Sequence, residues 1–135
     1  MHAWAEKYPD TGYFVVQAGV EHAKLEETIK TILAEFRKIK SKKISSAELK
    51  KAKSYIKGTT TLALESSDSV AENAATSIIN MGRVRPLEEV LKGIDRVSID
   101  DVQRVAKDIF RTEVLNLAVI GPHADSGALL PLLII

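Results

Sequence analysis

A two-layer α+β domain, with an antiparallel-rich sheet and helices packed on one face, is the fold class this sequence predicts. Three observations predict it. The first twenty residues read as a β-hairpin, residues from Leu25 to Phe110 carry apolar side chains at helical spacing, and Val114–Ile120 is a second β-prone run. Helices gathered between strands of a sheet form a layer over one of its faces. The whole of residues 1–135 is expected to form a single domain, since this length suffices for one hydrophobic core.

The elements follow in order. His2 to Tyr8 can be extended, and Pro9-Asp10-Thr11-Gly12 is a turn: proline presets φ, aspartate bonds its own backbone, and glycine accepts positive φ. Tyr13–Val20 is then a strand, with Phe14, Val16, Ala18 and Val20 on one face and Tyr13, Val15 and Gln17 on the other. Both faces are largely apolar, which predicts a central strand. Leu25, Ile29, Ile32, Leu33 and Phe36 mark one side of a first helix. Arg37, Lys38, Lys40, Lys42 and Lys43 close it, where cations complement the carboxyl end of the helix dipole.

Ser45 with Glu48 is a capping-box pattern that starts the next helix, whose buried side is expected to hold Leu49, Ala52, Ile56 and Ala63. Gly58-Thr59-Thr60-Thr61 weakens helical propensity, and Ser66–Ser69 weakens it again, so a break is expected there. Ser69 with Glu72 offers a second capping box. Val70, Ala74, Ala75, Ile78 and Ile79 continue as an amphipathic helix that ends at Gly82. Pro86 suits the first turn of a short helix burying Leu87, Val90, Leu91 and Ile94. Ser98 with Asp101 caps another, with Val102, Val105, Ala106, Ile109 and Phe110 inward. Val114–Ile120 is the closing strand, stopped by Gly121-Pro122.

Charge and composition narrow the function classes. Nineteen basic side chains nearly cancel eighteen acidic ones, and a net charge of +1 gives no long-range field to gather phosphates. No nucleic-acid partner is expected, and the basic cluster at 37–43 has no interleaved aromatic residue. The absence of cysteine excludes disulfides, thiolate zinc clusters and cysteine nucleophiles. No signal core opens the chain, and no apolar run reaches the roughly 20 residues that span a bilayer, so no membrane partner is expected. A cytoplasmic location is the default expectation. The apolar tail, Leu129–Ile135, is expected to pack on the domain.

Candidate catalytic chemistry is sparse. The histidines are His2, His22 and His123, whereas a catalytic zinc usually takes three protein ligands and leaves a position for water. His-Glu-x-x-His is absent. The inverted form, His-x-x-Glu-His, is approached at Ala18-Gly19-Val20-Glu21-His22, with Ala18 where the leading histidine belongs. The carboxylate pairs Glu26-Glu27, Glu88-Glu89 and Asp100-Asp101 fall in first turns of helices, where the dipole favours negative charge. Neighbours on a helix also point about 100° apart and do not converge on one substrate atom. No Gly-x-Ser-x-Gly turn or glycine-rich phosphate loop occurs. These observations assign no catalytic, substrate-binding or metal-ligating residue.

One set of segments resembles a known family, the M16 (pitrilysin/insulinase, mitochondrial-processing-peptidase-like) zinc metallopeptidases. The resemblance rests on Asp10-Thr11-Gly12-Tyr13-Phe14 leading into Ala18-Gly19, and on Glu48-Leu49 followed by Lys57-Gly58-Thr59 and Leu62-Ala63-Leu64-Glu65-Ser66. It closes with Leu115–Pro122 and so covers about Asp10 to Pro122. The resemblance implies paired α+β halves around a peptide chamber. One half carries His-x-x-Glu-His and a distant glutamate for zinc, whose bound water attacks the peptide carbonyl. The other half often supplies an arginine and a tyrosine, which Tyr8 and Tyr13 do not match.

On that likeness the chain corresponds to the C-terminal portion of the zinc-free half, truncated at its N-terminus. It is expected to be a non-catalytic segment forming part of the chamber wall and the inter-domain packing surface. No cofactor is expected in this chain, with zinc in the parent protein's other half. The implied partners are that zinc-bearing half, in the same chain or a separate subunit, and peptide substrate through the parent. Self-association through exposed apolar surface is also expected. The alternative is a peptidase-like scaffold subunit of a larger assembly without proteolytic activity.

Overall fold

The computed structural model describes residues 1–122 and 127–135, which form five α-helices and a two-stranded antiparallel sheet. Two compact units emerge, one from Met1–Lys7, Thr11–Lys43 and Val102–Ile135, the other from Tyr8–Asp10 and Ile44–Asp101.

In the first unit, β1 (His2–Lys7) pairs with β2 (Gly12–Gln17) in a register running from His2 opposite Gln17 to Lys7 opposite Gly12. Gly12 is required by a close approach: a Cβ there would lie 2.8 Å from the Glu6 carbonyl oxygen. A 3-10 turn at His22–Lys24 leads into α1 (Leu25–Ser41), which buries Ile29 and Leu33, the latter only 4% exposed. The predicted apolar side of this helix is therefore the observed one.

Three phenylalanines from three segments join β2, α1 and the residue after α5 (Ile99–Ile109). Phe36 and Phe110 stack with centroids 4.2 Å apart, and Phe14 meets both edge-on at 6.0 and 5.4 Å. Such pairs add about 0.5–1.5 kcal/mol each beyond area burial. Ala106 is buried on α5, and the Gln103 side chain donates to the Lys40 carbonyl at 3.3 Å.

The apolar tail packs as expected. A 3-10 turn at Leu130–Leu132 lies against α1, with Leu132, Leu133 and Ile135 half-buried. The Arg37 guanidinium donates to the Ile134 carbonyl at 2.7 Å, and the Ile135 amide donates to the Thr112 hydroxyl at 3.0 Å.

The second unit holds α2 (Ser46–Leu62), α3 (Ser67–Met81) and α4 (Leu87–Arg96). The capping box forms as the sequence predicts: Glu48 N–H donates to Ser45 Oγ at 3.2 Å, and Ser45 N–H donates to Glu48 Oε2 at 2.7 Å. The break expected at Ser66–Ser69 falls earlier, at residues 63–66, and the cap is Ser66, which accepts from Ser69 N–H at 3.1 Å. Gly82 ends α3 at φ +71°, the left-handed conformation that glycine adopts without strain. Pro86 immediately precedes α4, whose Leu87, Val90, Leu91 and Ile94 are all half-buried. Packing of α4 on α2 is fastened by Lys53, which donates to the Asp95 carbonyl at 2.8 Å, and by a 2.9 Å Lys57–Asp95 ion pair.

Several expectations differ from the structure, among them the inward direction of Val105 and Ile109 on α5, which are 40% and 44% exposed. Val114–Ile120 is not a strand. A 3-10 turn covers Thr112–Val114, and Leu115–Ile120 follow with no ladder, because β structure requires a partner and no described segment supplies one. Strand β2 stops at Gln17 and pairs on one side only, so it is an edge rather than a central strand. Finally, Ala52, Ile56 and Ala63 on α2, and Val70, Ala75, Ile78 and Ile79 on α3, are exposed. Neither α2 nor α4 packs extensively on α3, leaving Ser77 as its one buried residue.

Candidate functional site

His22 and Glu21, the pair nearest to an inverted zinc motif, sit where the chain enters α1. Glu21 has extended backbone (φ −64°, ψ 141°), and His22 begins the 3-10 turn. Glu21 and His22 thus precede the α-helix instead of presenting one helical face to an ion. His22 lines a shallow, open groove along α1 with Glu26, Glu27, Lys30 and Arg37. Lys30 pairs with Glu26 at 3.4 Å, so part of the groove's charge is already neutralised.

His2 lies on β1, its ring stacked on Trp4 at 5.4 Å. His123 falls outside the described residues. Among the described residues, no group of three or more His, Cys, Asp or Glu side chains could hold a metal ion. The donor set does not fit zinc.

The paired carboxylates serve local structure. Asp101 receives the Ser98 amide at 2.9 Å and returns its own amide to Ser98 Oγ at 3.0 Å, completing the expected cap. Glu88 pairs with Lys92 at 2.7 Å one helical turn on. Glu89 accepts a fork from Arg83, Nη1 to Oε2 at 2.8 Å and Nη2 to Oε1 at 2.7 Å. Arg85 Nε lies 3.6 Å from the same carboxylate.

Hydrogen bonding from Arg83 holds the Glu89 carboxyl below the usual glutamate range, with the charges of Arg83 and Arg85 adding to the effect. The same bond, together with the carboxylate charge, raises Arg83. The fork ties the loop after Gly82 to the first turn of α4. Its only signal in the sequence is an arginine six residues before a first-turn glutamate, which no periodicity or capping pattern singles out.

What remains conspicuous is apolar surface. On α3, Val70, Ile78, Ile79 and Met81 are exposed, Ile79 to 79%, and on α2 so are Tyr55, Ile56 and Leu62. Fifteen residues make an isolated helix marginal in water, and most helical stability in proteins comes from packing an apolar face. Contiguous exposed apolar patches mark interaction sites, and these two helices carry several large apolar side chains in water. Among the described residues, no helix is long and apolar enough to cross a membrane.

Comparison with known proteins agrees with this picture. Residues 1–56 match the family model described as the peptidase M16 inactive domain. An uncharacterized zinc protease of Bacillus subtilis is 27% identical over 125 residues, 93% of this chain and 30% of the relative. The beta subunit of the mitochondrial-processing peptidase of Saccharomyces cerevisiae is 27% identical over 122 residues, 88% of this chain and 26% of that subunit. An uncharacterized zinc protease of Rickettsia felis is 28% identical over 89% of this chain, again 29% of the relative. The chain therefore spans less than a third of the length of these relatives.

Proposed function

We propose, from the match of residues 1–56 to the peptidase M16 inactive domain and the likeness to zinc-protease relatives, that the chain is a packing segment from the inactive portion of a zinc-dependent M16 peptidase. It forms part of the substrate-chamber wall and of the surface that joins the inactive half to the zinc-bearing half. The observation that carries this reading is the exposure of the large apolar residues of α3, Val70, Ile78, Ile79 and Met81. A partner covering them would convert a marginal helix into a packed one.

The same reading accounts for the small sheet. A two-stranded hairpin is marginal alone and needs more strands or a helical layer to be stable. Here Phe14 of β2 packs against Phe36 of α1 and Phe110, and the open backbone edges are rows onto which further strands, or an extended peptide, can add. The fuller two-layer sheet is completed in the parent protein. Zinc belongs to the other half, and no reaction step is assigned to residues of this chain.

The test is reconstitution. Purified alone, the chain is expected to cleave no denatured peptide in a chelator-sensitive way. Mixed with a zinc-bearing half from the same parent, it is expected to form a complex and to raise that half's chelator-sensitive turnover. Chelator-sensitive turnover by the pure chain, or failure of the two halves to associate, would overturn the proposal.

A further inference from the structure

The face of the hairpin turned away from the phenylalanine cluster carries chemistry that packing leaves unused. Side chains alternate across a strand. Phe14, which meets Phe36 and Phe110, therefore shares its face with Ala3, Ala5 and Val16. The opposite face takes His2, Trp4 and Glu6 from β1, and Tyr13, Val15 and Gln17 from β2.

The register sets Glu6 directly opposite Tyr13, and Trp4 opposite Val15. Trp4 and Tyr13 are thus diagonal neighbours, roughly 7–8 Å apart and within reach of aromatic side chains. Glu6 has a ring on two sides: Trp4 two residues back along β1, and Tyr13 across the pair. Trp4, Glu6 and Val15 are half-buried, and Tyr13 is 53% exposed. His2 stacks on Trp4 with centroids 5.4 Å apart and holds the indole in place.

Glu6 is the unbalanced group. Its carboxylate makes no hydrogen bond or ion pair among the described residues, whereas Glu26, Glu88, Glu89 and Asp95 each hold a cation. Lys7, beside it in sequence, belongs to the other face. A carboxylate partly withdrawn from water carries a cost that a paired cation offsets. The electron-rich faces of Trp and Tyr rings attract cations as well. Both effects act at one place with the same sign.

We propose that Trp4, Glu6 and Tyr13 form a binding site for a cationic side chain of a polypeptide partner, and that a guanidinium fits it best. A guanidinium is planar and weakly hydrated, so it can stack on a ring while its fork donates two hydrogen bonds to Glu6. An ammonium supplies the charge without the stack. Anions are repelled by Glu6, and an apolar side chain would cover the carboxylate without pairing it. The site lies wholly on the hairpin and needs neither zinc nor a second half, so it stands or falls separately from the packing role.

Trp4 is the only tryptophan in the chain, so its fluorescence reports on this face alone. With the full chain, N-acetylargininamide is expected to change the Trp4 emission saturably. N-acetyllysinamide is expected to bind severalfold more weakly. The uncharged isostere N-acetylcitrullinamide should give only a linear background, a comparison that depends on no variant. Glu6→Gln keeps the shape and removes the charge, and should abolish saturation by the arginine probe. Tyr13→Leu should weaken that probe severalfold with the reporter intact. A wild type without a saturable response overturns the proposal. So does citrulline or lysine binding as tightly as arginine, or a Glu6→Gln chain that binds as wild type does.

Discussion

Phe36 and Phe110 lie 74 residues apart in sequence yet stack at 4.2 Å, with Phe14 edge-on to both. Truncating Phe36 removes one ring face from each neighbour. Phe36→Ala is therefore expected to destabilise the chain by about 2–4 kcal/mol, the lower part of the usual range because the ring is half-buried. Chemical denaturation checks this. The inward direction of Phe36 and Phe110 was legible from helical periodicity, whereas their mutual stacking depends on how distant segments meet, which periodicity does not encode.

Glu89 offers a second test at this scale. Its carboxyl sits below the usual glutamate range because Arg83 donates a forked hydrogen bond to it. A lowered folded-state value means that the contribution is present above the ordinary glutamate pKa and is lost as pH falls through the folded one. Both side chains are solvent-exposed, so the effect on global stability is small and screened by salt. A carboxyl-detected NMR titration should therefore show Glu89 titrating below the usual glutamate range. Arg83→Ala should move it upward. Identical titration in both proteins would remove the fork from the account.

Among the elements, the helix starts were the most legible part of the fold. Ser45 with Glu48 and Ser98 with Asp101 are local patterns whose hydrogen bonds close within four residues, so tertiary context has little room to override them. Ser98→Ala is expected to cost about 1 kcal/mol, read from a denaturation midpoint. Gly82→Ala is expected to cost about 1 kcal/mol by forcing a side chain into φ +71°. Ser66 took the capping role expected of Ser69 because the break opens earlier, at Ala63.

Strand behaviour was less legible because it is not local. Val114–Ile120 has the composition of a strand, but its state depends on a partner that lies elsewhere. The same logic explains β2, whose apolar faces suggested a central strand although it pairs on one side only. The apolar residues of α2 and α3 were read correctly as helical, but periodicity marks a side that wants burial without saying where the cover comes from. On the proposed reading, their exposure marks surface that the parent protein covers.

At the scale of the molecule, the chain combines a near-neutral charge with helices whose apolar sides are incompletely covered. It holds no described cluster of metal-binding side chains, and it spans less than a third of its zinc-protease relatives. The absence of a complete zinc motif was legible directly, because a helical or inverted His/Glu pattern requires residues that can be counted. The location of the proposed packing surface was not, since periodicity does not say which helix of the second unit keeps its large apolar side chains exposed.

Hydrogen exchange along α3 tests the central claim most directly. In the isolated chain, amides of Val70–Met81 should exchange faster than those of α1, whose Ile29 and Leu33 are buried. Adding a zinc-bearing half of the same parent should slow exchange in α3 more than anywhere in α1. Protection of α3 that is already maximal in the isolated chain, or that does not change on adding that half, would contradict the account.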